Sequence, residues 1–275
     1  MDLWLIIVIV VAAVVILGFL AWLFLRGEPK SMQPLDGAPV DGPVARAIAV
    51  GALQLDNDDF PWNDITGSAL DQKQQRGLRE MWDLTDREAW LENLERLTSG
   101  NRFDGPIVAM MAIRDEIAPD HRQPTDRDWL AAIKNHGGTG RGDEKKFVSN
   151  VRRWEKNLRK VGTKNFIVYP ADYAATSLEG YNIGQAAAMV VWGNAMGFAE
   201  PGEAEKLLIE ISAIAKRQFG SWEEFGRSYL LGRCVNLYRM TEDNDKVQSS
   251  IIGTMWSYRY AFKGEHGGPW ATLAW

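Results

Sequence analysis

The sequence predicts an all-α protein, with a single-pass N-terminal transmembrane helix followed by one multi-helix globular domain. Three observations carry this. Beyond residue 44, apolar residues recur at steps of three and four through most of the chain. Helix-start signals, Ser or Thr followed three residues later by Glu or Asp, recur along it. Residues 3–25 form an apolar run without a charge.

That run reads LWLIIVIVVAAVVILGFLAWLFL. At 1.5 Å per residue it spans about 34 Å, enough for a bilayer core of about 30 Å. Trp4 and Trp22 lie near its ends, where interfacial aromatics belong. Only Met1 and Asp2 precede it, and no small-x-small cleavage site follows directly, which argues against a removed signal peptide. Residues 1–26 are therefore expected to be an anchor. Arg26 and Lys30 on its C-terminal side, against Asp2 on the other, place the rest of the chain in the cytoplasm by the positive-inside rule. The expected location is the inner (plasma) membrane. Residues 27–43, rich in Pro and Gly, read as a flexible linker, and residues 44–275 as the α-helical domain.

The composition, 46% hydrophobic and 24% charged, is that of a folded protein. The net charge of -5 argues against a general nucleic-acid binder. The single cysteine, Cys234, cannot form an internal disulfide and reads as a small buried hydrophobe.

In order, residues 44–55 (VARAIAVGALQL) read as one buried helix with Gly51 inside it. A polar helix over 70–82 follows, with Leu70, Leu78 and Trp82 turned inward. Thr85 to Glu88 matches a capping box for a helix with Trp90, Leu91, Leu94 and Leu97 at helical spacing. Residues 106–117 form an apolar helix opened by a proline, and Thr125 caps a short helix through Trp129. Residues 136–142, HGGTGRG, have the amides for an anion cradle but lack the Walker spacing. A flexible inter-helix loop is the plainer reading.

Residues 143–161 read as an amphipathic helix, with Phe147, Val151, Trp154, Leu158 and Val161 on the buried stripe. Lys145, Lys146, Arg152, Arg153, Lys156, Arg159 and Lys160 lie largely elsewhere on it, a candidate surface for anionic lipid. The plainer reading is a solvated face paired with Glu144 and Glu155. Residues 165–170 (NFIVYP) suit a short strand or an extended connector. Residues 182–196 should form a central helix, apolar on nearly every face. Pro201 opens the next helix, Ser221 caps another in a box with Glu224, and residues 247–262 are helical. The C-terminal residues 266–275 are irregular, with two Trp expected to pack back onto the body.

Four stretches resemble the bacterial family catalogued as domain of unknown function 1266: WDLTDREAWLENLERL (82–97), the central helix followed by GFAEPGEA (197–204), FGSWEEFGRSYLLGR (219–233) and GPWATLAW (268–275). The resemblance implies one helical domain and no agreed activity. It also implies an Asp and, three residues on, an Arg at the start of the central helix. Here those positions hold Asn182 and Gln185.

His121, His136 and His266 lack ligand spacing, and neither a metal motif nor a nucleophile elbow is present. No cofactor is expected. The best polar constellation joins Glu224, Arg227, Tyr229 and Arg233 on one helix to Asn182 and Gln185. It could line an anion-binding cleft, or join helices through buried hydrogen bonds, which is the plainer reading. The leading functional expectation is a membrane-tethered interaction or regulatory module with a protein partner. The alternative is an uncharacterised enzyme, a hydrolase on a phosphate-bearing substrate, using that Tyr/Arg cleft.

Overall fold

The computed structural model describes residues 32, 34–58, 60–100, 102–164, 173–264 and 267–275. The anchor expected over 1–26, the first part of the linker and the strand expected over 165–170 lie outside them. Among the described residues the secondary structure is helical: α1 (Gly42–Ala49), α2 (Ala52–Asn57), α3 (Gln72–Trp82), α4 (Arg87–Thr98), α5 (Gly105–Ile117), a 3-10 turn (Pro119–His121), α6 (Asp126–Asn135), α7 (Gly142–Lys164), α8 (Glu179–Ala195), α9 (Glu203–Gln218), α10 (Trp222–Thr241), α11 (Asn244–Ala261) and α12 (Pro269–Thr272). The one β-type pairing among them is an isolated antiparallel bridge between Arg122 and Tyr173. None of the described helices is long and apolar enough to cross a membrane.

Helix α8 is the centre of residues 32–275. Every residue from Gly180 to Gly193 in it is buried. Helices α1, α2, α3, α4, α9 and α10 all pack on it. Small residues make that possible. A Cβ at Gly180 would lie 2.6 Å from the Phe225 carbonyl of α10, and one at Gly193 would lie 2.1 Å from Nε1 of Trp90 in α4. Helices α5 and α6 pack together, α6 packs on α7, and α7 seats against α10 and α11.

Tryptophan fastens these layers. Trp62, Trp90, Trp129, Trp154 and Trp192 are almost fully buried. A buried indole N–H favours an acceptor, and three such bonds each join a helix pair. Trp90 donates to the Met189 carbonyl at 2.9 Å, Trp129 to Met110 at 3.0 Å and Trp270 to Ala49 at 2.9 Å.

Several local expectations hold. Thr125 accepts from the Asp128 amide and Ser221 from the Glu224 amide, as their spacing predicts. The buried face of α7 is Val148, Val151, Trp154 and Leu158, with Phe147 and Val161 partly covered. Others shift. The expected helix 44–55 is two helices broken at Val50–Gly51, where the backbone runs against Ala187 and Ala188 of α8. The cap of α4 is Asp86, not Thr85; its carboxylate accepts from Ala89 at 2.9 Å while Thr85 donates to it. Pro201 stays in the turn, and Gly202, at φ 75°, starts α9. Within the stretch expected as linker, the Leu35 amide donates to Asn63 Oδ1 at 2.6 Å and Asn63 Nδ2 returns a bond to the Leu35 carbonyl, so this part docks on the body.

The Gly-rich loop between α6 and α7 cradles an anion that the chain supplies itself. Glu144 Oε2 accepts from the Thr139 hydroxyl and from the amides of Thr139 and Gly140. The Thr139 bond is the first cause holding this carboxyl below its ordinary range. Glu144 is therefore committed to the loop, not to the basic face of α7. Glu155 is also committed elsewhere. It is fully buried and pairs with Arg114 of α5 at 2.7 Å.

Candidate functional site

The six residues expected to share a cleft divide between two sides of α10. Gln185, Tyr229 and Arg233 belong to an interior network with members that sequence reasoning missed, and Asn182 is buried one turn from Gln185 on α8. Gln54 of α2 is its hub. Its Oε1 accepts from the Tyr229 hydroxyl at 2.8 Å and from Gln185 Nε2 at 3.4 Å. Its Nε2 donates to Asp58 at 3.0 Å. Gln185 Nε2 also donates to the Tyr181 hydroxyl at 2.9 Å, and Gln185 Oε1 accepts from Arg102. Asn182 donates to Glu179 at 3.1 Å. Arg233 Nε donates to Ser250 of α11 at 3.2 Å.

The centre of this network is enclosed, while Asp58, Arg102 and Arg233 at its edge are part-buried. Asn182 and Tyr229 are fully buried and Gln185 is nearly so. The space beside Arg233, walled by Cys234, Leu237, Val247 and Ile251, has no room for a water molecule. Burial drives the Tyr229 phenol far above its ordinary value, against the opposing charge of Arg233, so it stays protonated. Arg102 brings a cation to the edge of the network, where its guanidinium lies 5.1 Å from the ring centroids of Trp82 and Tyr181. Gln54 gave no signal because it sits in an otherwise apolar stretch, and Arg102 because it sits in a loop. Only tertiary contact gives either one a role.

Glu224 faces a different place, an open cleft of about 410 Å³ lined in part by Asp115, His121, Tyr173, Ser177, Glu224 and Ser228, and the buried Arg227 lies behind its wall. His121 Nε2 lies 3.5 Å from Glu224 Oε1, and its ring stacks on Tyr173 with centroids 4.9 Å apart. The Arg227 guanidinium sits 4.2 Å from the Tyr173 centroid. Burial, then the Glu224 charge, pushes the Tyr173 phenol up to about 12. Asp120 and His121 both have positive φ, 56° and 57°, which costs a non-glycine residue about 1–2 kcal/mol. Nothing in the spacing of His121 linked it to residues a hundred positions away.

The seven basic residues of α7 also divide. Arg152, Arg153, Lys156 and Arg159, with Ser149, line one groove of about 400 Å³, and Asp126 of α6 is the carboxylate in its wall. Asp126 bonds Arg152 Nε at 2.8 Å, and the Pro124 carbonyl accepts from its Nη1 at 3.3 Å. Lys146 points away from the groove, 5.5 Å from the Tyr238 ring, and a hydrogen bond with Tyr238 raises its pKa. Lys145 and Lys160 are exposed and do not line the groove. Among the described residues no group of His, Cys, Asp and Glu side chains could hold a metal ion.

Residues 77–275, more than half of the chain, match the family described as Protein of unknown function (DUF1266). The chain belongs to this family. No curated protein and no solved structure matches it. The DUF1266 match takes in α8, α10 and α7, and so Gln185, Tyr229, His121, Glu224 and the basic groove. It begins after Gln54, so the hub of the interior network is supplied from outside the matched residues.

Proposed function

We propose that this chain is a membrane-tethered, α-helical interaction module. Residues 1–26 anchor it in the inner membrane, and the DUF1266 body is held on the cytoplasmic side, where it engages a protein partner. The charge-free run 3–25 supports the tether, and Arg26 with Lys30 supports the orientation. The observation that favours interaction over catalysis is the enclosure of Tyr229, which is fully buried, with the part-buried Arg233 beside it bonded to α11. The Tyr229 hydroxyl is used on Gln54 of α2 and Arg233 Nε on Ser250 of α11, and the space beside Arg233 has no room for water. A substrate needs reach to its catalytic groups, so an enzyme acting on a phosphate-bearing substrate at this helix face is the weaker reading.

The experiment is in-cell crosslinking of the full chain in its native membrane, against a chain whose residues 1–26 are replaced by an unrelated single span. Both should stay in the membrane after an alkaline wash and should crosslink the same protein. A full chain that washes off the membrane, or that crosslinks nothing beyond a bare-span control, sinks the proposal.

A further inference from the structure

The groove along α7 is unlike a solvated helix face in three respects. First, its cations converge. Ser149, Arg152, Lys156 and Arg159 are spaced at helical steps of three and four, Arg153 lies beside Arg152 and one turn from Ser149 and Lys156, and all five line one cavity of about 400 Å³. Second, the acids nearest in sequence are turned away from it. Glu144 is bound to Thr139 and Gly140, and Glu155 is buried against Arg114. Third, one cation is already oriented. Asp126 and the Pro124 carbonyl hold two sides of the Arg152 guanidinium and fix its plane at the wall.

We propose that this groove binds the phosphate of an anionic lipid headgroup. The assignment rests on the membrane-tethered reading and adds the bilayer itself as a ligand of the body. Charge complementarity decides the sign, since four cationic side chains face a single carboxylate. Size decides the class. The stripe from Ser149 to Arg159 is about 15 Å long at helical rise, a length for one or two headgroups, and the net charge of -5 argues against a nucleic-acid backbone. Arg152 and Arg153 supply forked donors suited to phosphate oxygens, Lys156 a point charge and Ser149 a hydroxyl.

The test uses the full chain in a neutral detergent, titrated with short-chain phosphatidylglycerol, with short-chain phosphatidylcholine and with glycerol phosphate. The expected result is saturable binding of phosphatidylglycerol that weakens with salt, and much weaker binding of the other two. The double variant Arg153→Gln/Lys156→Gln removes two exposed cations and should weaken that binding about thirty-fold at an unchanged melting temperature. Glycerol phosphate binding as tightly as phosphatidylglycerol would overturn the lipid assignment in favour of a soluble phosphate ligand. Equal binding by the double variant, or no saturable binding, would overturn the groove. The lipid is supplied in solution, so these outcomes do not depend on the anchor, whose failure the alkaline wash reads separately.

Discussion

The Arg114–Glu155 pair is fully buried, and every bond around it is specific. Glu155 Oε2 accepts from Arg114 at 2.7 Å and from Gln123 at 2.6 Å, Oε1 accepts from the Ala175 amide at 3.2 Å, and Arg114 Nη1 donates to the Ala175 carbonyl at 2.9 Å. Removing one partner strands the other charge in the core. Glu155→Gln should therefore cost about 3–5 kcal/mol in urea unfolding, while Arg114→Met with Glu155→Leu should recover most of it. A single variant within about 1 kcal/mol of wild type would show that water reaches the pair. The Arg87–Glu203 pair makes a different case, because it is near the surface. Two parallel bonds of 2.7 Å join the side chains, and Arg87 also reaches the Phe198 carbonyl. The Arg87 hydrogen bond holds the Glu203 carboxyl down from 4.5 to about 2. A depressed carboxyl contributes stability above its unfolded value and loses it as pH falls through the folded one. The urea midpoint of wild type should fall more steeply between about pH 4.5 and about pH 2 than that of Glu203→Gln. At neutral pH the variant should cost under about 1 kcal/mol, since the pair is solvent-screened.

At the scale of the element, α8 shows what a helix apolar on nearly every face needs, which is neighbours shaped to it. Gly193→Ala would drive a methyl to within 2.1 Å of Trp90 Nε1, whose hydrogen bond to Met189 fixes the ring. Either the indole or the helix must shift, which should destabilise by about 1–3 kcal/mol and move the Trp fluorescence. Gly77 in the middle of α3 is the opposite case, exposed and with nothing within 4 Å of an added Cβ. Gly77→Ala should stabilise by about 0.5–1 kcal/mol in the same assay. These two glycines look alike in sequence, and the difference marks where sequence reading stops. Local chemistry was legible: Thr125 and Ser221 cap where their spacing places them, and Trp154 and Leu158 face inward on α7. Contacts set by another element were not. Gly51 breaks a helix because α8 lies against it, and Glu155 turns inward because Arg114 arrives from forty residues away. The candidate site split for the same reason. Tyr229 and Arg233 do lie on one helix, but Gln54, the partner of Tyr229, and the pair His121–Glu224 in the separate cleft are joined only by the fold.

At the scale of the whole molecule, the body closes by bringing the last of the described helices onto the first of them. Trp270 of α12 donates across 221 residues to Ala49 of α1. Trp222 donates to the Leu273 carbonyl at 2.8 Å, and Trp275 to the Phe219 carbonyl at 2.8 Å, so the C-terminus is tied at three points. Around these bonds Trp222, Phe225, Tyr258, Phe262, Trp270 and Trp275 form one aromatic cluster, with Trp222 and Trp270 stacked at 5.2 Å. The sequence suggested only that the terminal Trp residues pack back. The structure makes them the contact that joins α12 to α1, one of very long sequence separation and so of high loop-closure cost. Trp270→Ala should cost about 3–5 kcal/mol, and Trp270→Phe distinctly less, because Phe keeps most of the packing and loses the bond to Ala49. Deleting residues 269–275 removes all three ties together and exposes Trp222. The truncated chain should then melt at least ten degrees lower, at roughly 2–4 °C for each 1 kcal/mol lost in a domain of this size. It should also bind a hydrophobic dye at temperatures where the full chain does not. A truncated chain with the melting temperature of the full one would show that α1 and α8 to α11 hold together without this closure.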